Sequence, residues 1–154
     1  MKTLLIVLAA TIMSFWAYKA NAQDVELIKG IYYQNRQLFT GVHTEFYPSG
    51  KVKEVYQIKN GELDSISYSY FENGQIKEQK SYKNGLKHGL WILWDEQNHK
   101  ISEARYSNNL KDGNWIIWDA NGIKRYDMYY SNGVKVSKWS IWDEKGKLVS
   151  EKEF

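Results

Sequence analysis

Three histidines, His43, His88 and His99, are the residues best suited to acid–base work or metal ligation near neutral pH. Their spacing serves neither. They form no His-Glu-x-x-His motif and no close pair, so a metal site has no sequence support. His88 and His99 fall at or near expected turns, where solvation is the simpler reading. The absence of cysteine excludes a thiolate zinc site, a cysteine nucleophile and a disulfide scaffold. Neither a Gly-x-Ser-x-Gly elbow nor a P-loop occurs. Carboxylates such as Glu78 and Glu103 could pair across strands for acid–base chemistry, but carboxylates are also ordinary on a wetted sheet face. The expectation is a chain that is not an enzyme and holds no cofactor and no metal ion.

The unusual residues are aromatic: 16% of the 154 residues are Trp, Tyr or Phe. Trp91, Trp115 and Trp139 are spaced by 24 residues, as are Trp94, Trp118 and Trp142. Asp95, Asp119 and Asp143 follow the second set. Ten of the eleven glycines keep the same beat in three phases. Gly50, Gly74, Gly122 and Gly146 share one phase, Gly61, Gly85 and Gly133 a second, and Gly41, Gly89 and Gly113 a third. A fixed period of this length marks a repeat architecture. The units run over residues 37–60, 61–84, 85–108, 109–132 and 133–154. Residues 23–36 read as a leading strand or degenerate half-repeat.

Each unit reads as a β-hairpin. Asn60-Gly61, Asn73-Gly74, Asn84-Gly85, Asn121-Gly122 and Asn132-Gly133 are strong hairpin signals, and all five predict type I′ turns. Strands of about 7–9 residues fill the gaps between turns. In the stretch from Ser65 to Tyr70 serine alternates with Ile66, Tyr68 and Tyr70, which predicts one buried face and one wet face. The buried set maps through the period onto Leu90, Ile92 and Trp94, then onto Asn114, Ile116 and Trp118. The other face carries Trp91, Leu93, Trp115, Ile117, Trp139 and Ile141, so in the last three units it is apolar too. Two readings of this second column stand open. The rings stack as structural cover, or they form an exposed ridge that contacts a protein or a glycan. The six residues are the candidate partner-binding set. The fold expected is all-β: an elongated antiparallel meander of about ten or eleven strands.

The first 22 residues read as a Sec-type signal peptide. Residues 3–16 are uncharged, Lys2 precedes them, and Ala20-Asn21-Ala22 fits a small-x-small cleavage pattern before Gln23. The uncharged run is short for a permanent membrane anchor, so no stable membrane insertion is expected after cleavage. The leader carries Lys2 and Lys19 and no acid, which leaves 19 basic and 18 acidic residues, a net charge of +1. A nucleic-acid partner is not expected from so small a charge. The expected location is the periplasm or the exterior.

The stretch from Asn84-Gly85 through Gly89 to Trp91 and Trp94-Asp95 resembles a MORN repeat (membrane occupation and recognition nexus) in its bacterial variant form. Phe71-Glu72-Asn73-Gly74-Gln75-Ile76-Lys77-Glu78 resembles the second half of that repeat. The likeness covers about residues 41–154. The first unit departs by lacking Asn-Gly at its start, the third by Asn98-His99, and the fifth by Ser137 in a glycine slot. Bacterial chains of such repeats resemble the YwqK family, antitoxin components of toxin–antitoxin modules. The resemblance implies a scaffold that binds another protein, a toxin among the candidates, and implies no chemistry.

Overall fold

The computed structural model describes residues 25–154; the expected leader, residues 1–22, lies outside them. Among the described residues there is no helix. Three strands, β1 (Glu26–Ile28), β2 (Ile31–Gln34) and β3 (Gln37–Leu38), form a small antiparallel sheet. Thirteen more form a second sheet. Ten of these follow one another in chain order: β4 (Gly41–Phe46), β5 (Val52–Lys59), β7 (Ser65–Tyr70), β8 (Ile76–Lys83), β10 (Gly89–Trp94), β11 (Lys100–Ser107), β13 (Gly113–Trp118), β14 (Lys124–Ser131), β15 (Val134–Trp142) and β16 (Leu148–Glu153). The two-residue strands β6 (Glu62–Leu63), β9 (Leu86–Lys87) and β12 (Leu110–Lys111) each pair with the strand before them. The antiparallel meander expected from the period is the fold.

The turns are of two kinds. At Asn60-Gly61, Asn84-Gly85 and Asn132-Gly133 both residues have positive φ, 47° to 51° at Asn and 74° to 82° at Gly, which is type I′. Asn73-Gly74 and Asn121-Gly122 depart from the expectation, because only their glycines have positive φ (90° and 76°). There the Phe71 N–H donates to the Gln75 carbonyl at 2.8 Å and the Gly74 N–H to the Phe71 carbonyl at 2.9 Å. This is a three-residue loop, a type I turn followed by one left-handed residue. The aspartate of each Trp-Asp pair occupies the Phe71 position in later units. Asp119 Oδ1 accepts the N–H groups of Asn121 and Ile123 at 3.0 and 3.1 Å. Asp95 and Asp143 make the same pair of bonds. A side chain that holds two backbone donors fixes this turn type without help from positive φ at Asn.

Type I′ turns also stitch each unit to the one before. The N–H groups of Gly85, Asn109 and Gly133 donate to the carbonyls of Leu63, Lys87 and Lys111 at 2.7 to 2.9 Å. Asp64 and Asp112 accept the N–H groups of Asn84 and Asn132, each at 3.1 Å, and Thr40 Oγ1 accepts that of Asn60 at 2.8 Å. His88 stands in the corresponding place of the third unit.

The N-terminal sheet closes one end. The Tyr32 N–H donates to the Gly61 carbonyl at 2.8 Å, and the Gly61 N–H donates to the Phe39 carbonyl at 2.7 Å. A Cβ at Gly61 would lie 2.7 Å from Ile31 Cγ2 and 2.9 Å from Leu38 Cδ2. Tyr32 is buried, with its ring 6.0 Å from both His43 and Tyr56.

A single sheet has little interior. Among the described residues the buried apolar side chains are Tyr32, Ile58 and Tyr130. The expected division of β7 into a buried and a wet face is reversed. Ser67 and Ser69 are 2% and 6% exposed, whereas Ile66 is 40% exposed. Serine is short, and its cross-strand neighbours Lys80, Glu78 and Glu54 carry long side chains on the same face. They close over it.

Candidate binding face

Strand pairing puts Trp91, Leu93, Trp115, Ile117, Trp139 and Ile141 on one face. Leu93 lies opposite Ser102, Ser102 opposite Ile117, Ile117 opposite Tyr126, and Tyr126 opposite Ile141, so one row crosses the sheet. Directly opposed residues in an antiparallel pair share a face. Ile117 and Tyr126 are exposed, and Leu93 and Ile141 are half-buried.

Beside this row runs an aromatic ladder. Its order is Tyr82, Trp91, Tyr106, Trp115, Tyr130, Trp139, Phe154, and successive ring centroids are 5.0 to 5.5 Å apart. Neighbouring planes stand at 54° to 66°, the edge-to-face arrangement that the ring quadrupoles favour. Each indole N–H donates to a backbone carbonyl at 2.9 Å: Trp91 to Ser81, Trp115 to Arg105 and Trp139 to Tyr129. The glycine phase makes room for the rings. Gly89 lies opposite Tyr106 and Gly113 opposite Tyr130, so no side chain stands between each tyrosine and the tryptophan two residues on.

Trp94, Trp118 and Trp142 were expected on the structural side, and here the structure corrects the reading. Among the described residues no ring-to-ring contact joins them. Lysines cover two of them, Lys100 at 5.8 Å from Trp118 and Lys124 at 4.6 Å from Trp142. The stacked aromatic layer lies on the face of Trp91.

A second line accompanies the ladder. Lys87 Nζ lies 4.5 Å from the Trp91 centroid and 5.0 Å from that of Tyr106. Lys111 lies 4.1 Å from Trp115 and 4.7 Å from Tyr130. Lys135 lies 4.4 Å from Trp139 and 5.2 Å from Phe154. The tyrosines and lysines share the 24-residue period, so both sets were readable beside the tryptophans. A depression of about 170 Å³ opens on this face between Glu78, Trp91, Leu93, Ser102, Ala104 and Trp115. At its edge Tyr82 is pushed up to about 12, by burial first and by the charge of Glu78 second.

The residues weighed for chemistry lie apart. Glu78 pairs across to Leu93 on the ladder face, whereas Glu103 pairs across to Ile92 on the other face. Each has its own lysine, Lys80 at 2.5 Å and Lys100 at 2.7 Å. His43 stacks on Tyr56. His99 is exposed and meets Asp95 at 3.2 Å. His88 departs from the solvated reading: it is half-buried, and its Nδ1 is enclosed without a hydrogen-bond partner. Among the described residues no three His, Asp or Glu side chains come close enough to hold a metal ion.

A search of curated proteins finds no match to the chain. The family model for the MORN repeat variant matches residues 39–60, 63–84 and 111–132. These windows keep the 24-residue register. The skipped window, 87–108, contains His88, where Thr40, Asp64 and Asp112 stand in the matched windows, and Asn98, where Gly50, Gly74 and Gly122 stand. Over these three windows the chain is similar to the MORN repeat variant, and each window folds within the one antiparallel sheet.

Proposed function

We propose that this chain is a non-enzymatic repeat scaffold that binds another protein through the ladder face. The observation that carries the reading is the row Leu93, Ile117, Tyr126 and Ile141. The row crosses five strands, apolar on all but β11, where Ser102 stands, with Ile117 37% and Tyr126 40% exposed. Soluble chains seldom leave such rows open without a contact to make. The N-terminal sheet covers the other end of the same face, where His43 and Tyr56 meet Tyr32.

The scaffold is exported. The support is the uncharged run of residues 3–16 and the Ala20-Asn21-Ala22 pattern. The mature protein should begin at Gln23 within a residue or two, and a chain recovered intact from Met1 in the cytoplasm would refute export.

The test of binding uses the mature chain as bait in envelope extracts, beside Ile117→Glu. A charge at an exposed position leaves the fold intact and disrupts the row. The expected result is a protein captured by wild type and lost with Ile117→Glu at unchanged melting temperature. Capture of glycan alone would refute the reading. If the captured protein is toxic and its toxicity ends on co-expression with this chain, the scaffold acts as an antitoxin.

A further inference from the structure

Three lysines of the ladder face, unlike Lys80 on the same face, stand without a carboxylate among the described residues. Lys53, Lys80, Lys100, Lys124 and Lys138 each have a carboxylate within 4 Å. Lys87, Lys111 and Lys135 have none among the described residues; they lie over aromatic rings. A ring quadrupole attracts an ammonium without neutralising it. Three full positive charges therefore stand in line along the ladder, one in each of the last three units.

The spacing of that line is set by the sheet. Equivalent residues of successive units are two strands apart, about 9.6 Å at the usual inter-strand distance. A partner that meets all three lysines must present an anion about every 9.6 Å on one side. It must also present apolar groups at the same interval, to meet Leu93, Ile117 and Ile141.

A polyproline II helix has this period. It turns once in three residues and rises about 3.1 Å per residue, so every third side chain returns to the same side after about 9.3 Å. An extended β-strand spans a similar length in three residues, but its side chains alternate, and every third points the other way. An α-helix returns to one face after seven residues and about 10.5 Å, and so drifts by about 1 Å per unit. We propose that the ladder face takes a polyproline II segment whose triplets each hold one acidic and one apolar residue. The acids meet Lys87, Lys111 and Lys135, and the apolar residues meet Leu93, Ile117 and Ile141. The third position faces solvent. Aromatic surfaces that read this preformed, low-entropy helix are an established mode of recognition. The inference rests on the protein-binding reading above and names the chemistry of the partner.

The test uses two synthetic peptides of one composition. One has four Glu-Leu-Pro triplets, and the other has the same residues shuffled so that no two glutamates are three apart. Binding to the purified chain is read by tryptophan fluorescence at two salt concentrations. The triplet peptide should bind about ten-fold tighter, because three weak ion pairs act in phase. Lys111→Gln should weaken it by about three- to five-fold and flatten its salt dependence. Lys100→Gln, on the opposite face, should change neither. Melting curves of both variants verify that they are folded. Equal binding of the two peptides overturns the inference in favour of a general attraction for polyanions, anionic glycans included. No binding of either peptide also overturns it. If that happens while Ile117→Glu still abolishes capture of a natural partner, the scaffold reading stands and only the polyproline II segment falls.

Discussion

Trp115→Ala should unfold the protein more readily than Trp118→Ala, although the two positions are only three residues apart. The Trp115 ring meets Tyr106 at 5.2 Å and Tyr130 at 5.5 Å. Each such pair is worth about 0.5–1.5 kcal/mol. Its N–H bond to the Arg105 carbonyl, 2.9 Å long, adds about 1 kcal/mol. Lys111 over the ring adds about 0.5 kcal/mol. The total is about 2.5–4.5 kcal/mol, which overlaps the range of about 3–5 kcal/mol for truncating a packed tryptophan. Trp118 has no ring partner, and Lys100 lies 5.8 Å from its centroid. Its loss should cost about 1–2 kcal/mol, mainly apolar surface returned to water. Urea unfolding followed by circular dichroism measures both. Because each unit contacts mainly its neighbours, Trp115→Ala should also broaden the transition or split it in two. Equal losses, or a larger loss for Trp118→Ala, would refute the claim that the ladder is the main side-chain core.

Gly61→Ala should destabilise more than Gly85→Ala. Both place a side chain at positive φ, but only at Gly61 would the new Cβ fall 2.7 Å from Ile31 and 2.9 Å from Leu38, whereas at Gly85 the nearest atom is 3.7 Å away. Equal melting temperatures would show that the N-terminal sheet does not seat on this turn. His88→Asp should stabilise by about 0.5–1 kcal/mol, because it restores the acceptor that Asp64 and Asp112 supply in their units; a lower melting temperature would refute that. Stability should fall as pH rises from about 10 to about 12. Tyr82 keeps its proton in the folded chain up to about 12, while the unfolded chain releases it near 10, so the stabilisation is complete below 10 and is lost on the way up. The fall should be modest because the Tyr82 ring is only partly buried, and Tyr82→Phe should reduce it in denaturant midpoints measured across that range, while Tyr32 and Tyr106, also raised by burial, keep their share.

The period and the fold class were legible because they rest on backbone rules. Asn60-Gly61, Asn84-Gly85 and Asn132-Gly133 stand where the chain must take positive φ twice, and few other residue pairs tolerate that. Asn73-Gly74 carries the same letters with a different turn. The deciding bonds join Phe71 to Gln75 and to Gly74, so the dipeptide alone does not specify them. The six candidate residues were correctly put on one face by alternation. Alternation failed to say which face is better covered. It assumes that burial follows apolarity, and in a one-layer sheet burial follows side-chain length and neighbours instead. Ser67 is enclosed and Ile66 is open for that reason. The placement of β2 against Gly61 was not legible either, because it depends on contact between segments about thirty residues apart, and the period is absent there.

From Tyr82 onward the ladder crosses each unit boundary by the same step, a Tyr of one unit against a Trp of the next. The third and fourth units thus each bring one indole, one phenol and one ammonium, the fifth has Phe154 in place of the phenol, and each completes a stack that its predecessor left open. Duplication of a 24-residue stretch of the gene in frame would therefore lengthen the array without a new interface having to evolve. Deletion would shorten it as cleanly. Each event changes the reach of the face by about 9.6 Å. Such a protein is a ruler graduated in units, and its length is a heritable dimension separate from its stability. Phe154, stacked on Trp139, is 44% exposed.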